Sequence, residues 1–190
     1  MTTPKDFHHY KGDNLTATEK VERRFAKLLI NSDIPDNQRE SSIIWEFKHS
    51  SGCCQIARIL AQKRGLDVEI SETAALLHDI YVAFTGKYSN HANEGAPMAE
   101  KLLNEIGGFT PDQIKTIVMA IAQHSQKEIY SDNPYVELVK DVDVFDCSLY
   151  RGSGDYYLLH KPAEIVREYA KRTEAVRQEL GLPKGDTFRQ

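Results

Sequence analysis

Three of the seven histidines in this 190-residue chain interrupt stripes of apolar side chains that recur at helical spacing. His49 stands four residues ahead of Cys53, whose stripe continues through Ile56, Ala57 and Leu60. His78 lies inside the stripe Ala74, Leu77 and Tyr81, and His124 continues Ile114, Ile117, Val118 and Ile121. Asp143 joins Val136 and Val139 at the same period on a further helix. Each of these groups therefore turns inward, and burying them without partners would cost on the order of several kcal/mol. One such histidine is ordinarily a hydrogen-bonded core residue, but four inward polar groups together favour a shared metal ion. Imidazole and carboxylate suit iron, manganese or zinc and disfavour a calcium cage. The stripes leave the carboxylate open. Asp141 neighbours the other apolar stripe of its helix, Leu138, Val142 and Phe145, and Asp146 lies near Asp143.

The elements that must position these groups read as helices joined by short turns, so the expected fold class is all-α, a compact helical bundle. The capping box Thr16-Ala-Thr-Glu19 opens a helix reaching about Ile30, and Pro35-Asp36 breaks the chain. Helices are then expected over 37–47 and 49–64, the latter stopped by Gly65, and from about Ser71 to Phe84, closed by Gly86. Asn90 caps a helix over 91–106, and the capping box Thr110-Pro-Asp-Gln113 starts another reaching about Gln126. Asn133-Pro134 opens a helix to about Tyr150, Arg151-Gly-Ser-Gly-Asp155 reads as a turn, and a last helix covers 162–180. No segment sustains the period-two alternation of a strand.

Composition narrows the class further. A 41% hydrophobic and 27% charged chain is globular rather than disordered, and its length suits one domain. The expected organisation is a single domain over 1–190, with its motif core at about 45–150 and segments 14–46 and 162–180 packed on it. A net charge of −4 gives no broad footprint for nucleic acid or an anionic membrane. Met1–Tyr10 lacks the apolar stretch of a secretory signal, and the run Ile117–Ala122 is far too short to span a bilayer. Cys53, Cys54 and Cys147 form no CxxC pair and read as reduced, mostly buried thiols of a cytoplasmic protein, not as a zinc site. His8, His9 and His160 fall outside the stripes and read as surface residues.

In order along the chain, His49, the pair His78-Asp79 and an aspartate within Leu138-Val-Lys-Asp-Val-Asp-Val-Phe-Asp146 resemble the H…HD…D signature of the HD superfamily. Lys48-His49-Ser50 and Ala74-Ala-Leu-Leu-His-Asp-Ile80 match its local context. His91-Ala-Asn-Glu-Gly-Ala96 and Ala120-Ile-Ala-Gln-His124 resemble the segments of members with a second metal, including the symmetrical diadenosine tetraphosphate hydrolases. The resemblance covers residues of about 45 to 150. It implies His49, His78, Asp79 and Asp143 on a first divalent metal, with His91 and His124 on a second and Asp79 bridging. The closing segment, Asp143-Val-Phe-Asp146, favours Asp143 over Asp141. Iron or manganese is the expected metal, with zinc, magnesium, nickel or cobalt as alternatives. No Gly-Tyr-Pro follows the His-Asp pair, which argues against the cyclic-dinucleotide class, and Ile80-Tyr-Val-Ala-Phe84 departs from the usual polar continuation.

The expected activity is hydrolysis of a phosphomonoester or phosphodiester of a small phosphorylated metabolite or nucleotide by a metal-activated water. Lys127, one turn past His124, is the expected catalytic cation for the phosphate beside the second metal, and Arg151 is a weaker candidate for substrate binding. The same ligand set serves a mixed-valence diiron oxygenase. A third reading is a non-catalytic nucleotide-binding regulatory module. A homo-oligomer is compatible with all three.

Overall fold

The computed structural model describes residues 8–189. Residues 1–7, which carry most of the segment read for a secretory signal, and residue 190 lie outside them. Among the described residues the chain is helical throughout, without strands. The elements are α1 (Ala17–Ile30), α2 (Ile43–Arg64), α3 (Val68–Leu77), α4 (Ile80–Thr85), α5 (His91–Ile106), α6 (Pro111–Gln123), α7 (Pro134–Ser148), α8 (Ser153–His160) and α9 (Ala163–Glu179). None is long and apolar enough to cross a membrane.

Both expected capping boxes form. The Thr16 and Thr110 side chains accept from the backbone N–H of Glu19 and Gln113, whose side chains accept in return from the cap N–H groups. Gly65 ends α2 in the left-handed conformation, φ 65°, which a side chain would strain.

Three boundaries differ from the sequence reading. The helices expected over 37–47 and 49–64 are one element, because nothing between Phe47 and His49 breaks a helix; only a 3-10 turn, Asp36–Gln38, precedes it, and Ser42 is the cap. The helix expected from Ser71 to Phe84 instead begins at Val68, capped by Asp67, and breaks at His78-Asp79. Finally, the segment expected as a glycine-rich turn is a turn only at Arg151-Gly152; from Ser153 the chain winds into α8.

The core forms where α2, α3, α6 and α7 meet. Leu60, Leu77, Ile80, Ile117, Ile121 and Leu138 are fully buried there, and α5 closes the side along α6 with Leu103. A smaller cluster, Val144, Tyr157, Val166 and Tyr169, fixes α8 and α9 to the outer side of α7. The histidines stand at the inner ends of these packed faces, so apolar burial sets their positions.

Gly52 is a point where packing and the polar cluster touch. A Cβ built there would lie 2.0 Å from Asp146 Oδ1, and Asp146 is fixed by its bond to His49. Overpacking costs about 1–3 kcal/mol, against about 1 kcal/mol that alanine gains over glycine in a helix. Gly52→Ala should therefore lower the free energy of unfolding in a urea titration. A variant more stable than the parent would show that Asp146 can move aside freely.

Candidate metal centre

α2 turns Glu46, His49 and Cys53 to the interior, each one helical turn from the next. The break between α3 and α4 presents His78 and Asp79 side by side, at the end of one helix and the cap of the next. His91 opens α5, His124 closes α6, and Asp143 and Asp146 lie on the inner face of α7. His49, His78, Asp79, His124, Asp143 and Asp146 are buried, and His91 is the most exposed ring of the group.

These residues converge as two adjoining groups. In the first, His49 Nε2 lies 3.1 Å from His78 Nε2 and 3.5 Å from Asp143 Oδ1, and His78 Nε2 lies 4.0 Å from Asp143 Oδ2. In the second, the Nε2 atoms of His91 and His124 are 3.0 Å apart. Asp79 reaches both groups. Its Oδ2 is 3.4 Å from His78 Nε2, while its Oδ1 is 3.3 Å from His91 Nε2 and 3.4 Å from His124 Nε2.

The hydrogen bonds on the far side of each ring decide what the near side offers. Nδ1–H of His78 donates to the Ala75 carbonyl, that of His91 to Tyr88 and that of His124 to Ile121, each at 2.7 Å. A carbonyl oxygen only accepts, so Nδ1 carries the hydrogen and neutral Nε2 presents a bare lone pair. His49 does the same through Asp146, whose Oδ2 accepts from Nδ1 at 2.7 Å. Two lone pairs facing each other at about 3 Å repel unless a cation lies between them. That separation matches two nitrogens on one ion at the usual distance of about 2.1 Å. Asp79 Oδ1 is buried with no hydrogen-bond donor, which a cation would also relieve. The donor set thus fits one ion in each group, with Asp79 between them.

The electrostatics point the same way. Burial opposes charge on Asp79, but His78 and His124 hold its carboxyl well below the usual range. Burial likewise opposes charge on Asp143, and there the Lys127 ammonium and His49 hold the carboxyl low. Burial also resists a proton on His78, yet Asp79 and Asp143 raise its affinity for one. His124 is pushed down to about 4 by burial, so its Nε2 is unprotonated near neutral pH. Glu46, Asp79, Asp143 and Asp146 bring four buried carboxylates to a region with one buried ammonium, Lys127.

Lys127 is buried, not solvated, and its Nζ lies 2.5 Å from Asp143 Oδ2 and 5.5 Å from the centre of the Tyr169 ring. It is paired with Asp143, and its charge is also felt at His124. Arg151 is exposed at the turn before α8. Asp141 faces away from the cluster, held by Arg64 at 2.9 Å and Arg172 at 2.7 Å. His160 and His9 are exposed as expected, while His8 is half-buried and bonded to Glu19 at 3.0 Å.

The structure adds groups that the sequence reading did not place here. Glu46 shares the inner face of α2 with His49. Cys53 Sγ is 3.7 Å from His49 Nδ1, and Cys147 Sγ is 3.8 Å from Asp143 Oδ1. Cys53 with His49 and His78, and Cys147 with His49 and Asp143, are further groupings able to hold a metal. Cys53 follows His49 by four residues on its stripe, and Cys147 follows Asp143 at the same spacing.

The family model for the HD domain matches residues 47–147. A relative from Bradyrhizobium diazoefficiens, the "Deoxyguanosinetriphosphate triphosphohydrolase-like protein", is 39% identical over 80 residues. That alignment covers 42% of this chain but 18% of the relative, so the chain spans less than a fifth of that protein's length. No solved structure matches.

Asp146 offers a test of the fit that needs no substrate. Carboxylates that orient a ligating histidine change metal affinity about 10–100-fold when altered. Asp146→Asn should weaken manganese binding by that factor in calorimetric titration, with helical content unchanged by circular dichroism. Unaltered affinity would reduce Asp146 to a packing role.

Proposed function

The chain belongs to the HD-domain family, and we propose that it acts there as a metal-dependent phosphohydrolase on a small, nucleotide-like phosphoester. The observation that carries this reading is the pair of facing Nε2 lone pairs, His49 with His78 and His91 with His124, joined by Asp79. His49, His78, Asp79 and Asp143 would hold one divalent ion, iron or manganese by donor chemistry, and Asp79, His91 and His124 a second. The triphosphohydrolase named for the bacterial relative supports a nucleotide substrate. One domain over the whole chain is part of the same proposal.

When bound, the ions supply a water acidic enough to attack at neutral pH and offset charge at phosphorus. The rest falls to the chain. Asp79, reaching both histidine pairs, would help hold both ions and orient the attacking water. The backbone carbonyls of Ala75, Tyr88 and Ile121 and the Asp146 carboxylate lock the four rings, so little reorganisation accompanies the reaction. Lys127 binds a non-bridging phosphate oxygen on the Asp143 side. Its ammonium stays charged because, although burial opposes it, Asp143 raises its pKa. Arg151, exposed, would meet only a more distant part of the substrate.

The test is a screen of phosphomonoesters, phosphodiesters and nucleoside triphosphates with manganese- or iron-loaded protein under argon. Turnover should require metal, persist without oxygen, and vanish with chelator and in Asp79→Ala, which should remain soluble and helical. Lys127→Ala should lower kcat/KM by about 2.7–4 kcal/mol, roughly 10²–10³-fold, as loss of a preorganised electrostatic donor does. Turnover that needs oxygen would move the protein to the oxygenases, and full activity in Asp79→Ala would remove the bridging carboxylate from the mechanism.

A further inference from the structure

Glu46 is fully buried on α2, one turn before His49 and on the same face. Its Oε1 accepts from the Ser41 hydroxyl and, at 3.2 Å, from the Tyr88 hydroxyl. Its Oε2 is buried with no donor at all. Among the described residues one other buried carboxylate oxygen is in that condition, Asp79 Oδ1, the atom that faces His91 and His124. Tyr88 ties the two regions together. Its hydroxyl holds Glu46, its carbonyl accepts from His91 Nδ1, and its ring packs edge-on against His91 at 5.6 Å.

A buried acceptor without a donor is costly, and a second carboxylate nearby raises the cost. Burial, with the Asp79 charge added to it, pushes the Glu46 carboxyl up, so Asp79 and Glu46 act on each other electrostatically. A donor reaching both Oε2 and Oδ1 would remove both defects. A bare ion at the His91–His124 pair satisfies Asp79 but brings Glu46 no hydrogen. A water on that ion brings both.

We infer that Glu46 is a positioning residue that accepts a hydrogen bond through Oε2 from water held at the Asp79, His91 and His124 side of the centre, with Tyr88 and Ser41 fixing its orientation. This rests on the two-ion reading above. It assigns α2 a function on both sides of the centre, through His49 on one and Glu46 on the other.

The test compares Glu46→Gln and Tyr88→Phe with the parent. Gln keeps an Oε1 that accepts from Ser41 and Tyr88, but it replaces the free acceptor with an amide donor and removes the charge. Manganese alone is titrated by calorimetry, the melting temperature of metal-free protein is measured, and kcat and KM follow on the best substrate of the screen. In Glu46→Gln the second manganese equivalent should bind about 10–100-fold more weakly, as for other groups that orient metal-bound partners. The first equivalent should be unchanged, and the metal-free melting temperature should not fall. The change in turnover should appear in kcat with KM unaltered. Tyr88→Phe should move the same readouts in the same direction by less.

Parental second-equivalent affinity and kcat in Glu46→Gln would overturn the inference and leave the two-ion reading standing. A drop in metal-free stability with normal metal binding would also overturn it, making Glu46 a structural residue. If Glu46→Gln yields no soluble protein, parental behaviour of Tyr88→Phe overturns it. Uptake of a single equivalent by the parent would instead sink the two-ion reading, and this inference with it.

Discussion

The arrangement depends on a short hydrogen bond repeated three times, from a histidine Nδ1–H to the carbonyl three residues earlier. His78, His91 and His124 each make it, at a helix break, a helix start and a helix end. Those are places where backbone carbonyls or N–H groups lack helical partners. The bond fixes the tautomer and directs Nε2 inward at once. A histidine in mid-helix lacks that local anchor, and His49, the one such case, takes Asp146 from α7 instead. Helix ends are therefore part of the site, and Asp79 stands beside His78 at the break between α3 and α4.

Four buried carboxylates meet one buried ammonium, Lys127, and that cation is held in place from outside the motif core. Arg172 on α9 donates to the Lys127 carbonyl at 2.6 Å and pairs with Asp141 at 2.7 Å and Glu137 at 2.8 Å. It thereby pins the segment that follows α6, from which Lys127 reaches Asp143. Tyr169, on the same helix, packs its ring against the Lys127 ammonium. The C-terminal helix contributes no carboxylate or imidazole to the centre, yet it sets where the cation beside the centre can stand.

Much of this was legible in the sequence because helical periodicity is a local property. The stripes gave His49, His78 and His124 an inward direction, and the capping boxes placed α1 and α6. What the stripes missed has a common cause. Asp79 and His91 sit at helix termini, where periodicity has just begun or ended, and only the resemblance of the ordered motif singled them out. The α3–α4 break carries no glycine or proline, so a continuous helix was expected. Glu46 reads as an ordinary charged residue until Tyr88, 42 residues away, is seen holding it. Counting along one helix puts Lys127 a turn past His124; its partner Asp143 comes from another helix and is visible only in the structure.

The choice between Asp141 and Asp143 shows why sequence alone left alternatives there. Positions two apart on a helix are separated by about 200°, so α7 must present the two aspartates to nearly opposite sides. Glu137 and Asp141, one turn apart, meet the arginines of α2 and α9; Asp143 and Asp146, also about one turn apart, meet His49. Both faces are acidic at helical spacing, and both lie on buried or half-buried residues, so neither charge nor period tells them apart. The partners do. Arg64 and Arg172 are permanent cations that hold Asp141 in bidentate-capable pairs, whereas the histidines opposite Asp143 offer only lone pairs that themselves require a cation. One rotational setting of α7 satisfies both faces, and a turn of about 100°, one residue, would put the buried Val142 or Val144 where Asp143 stands and strand the buried Arg172 guanidinium at a cost of about 3–5 kcal/mol. The ion pairs on the far face of α7 thus fix the rotation that aims Asp143 and Asp146 at the centre.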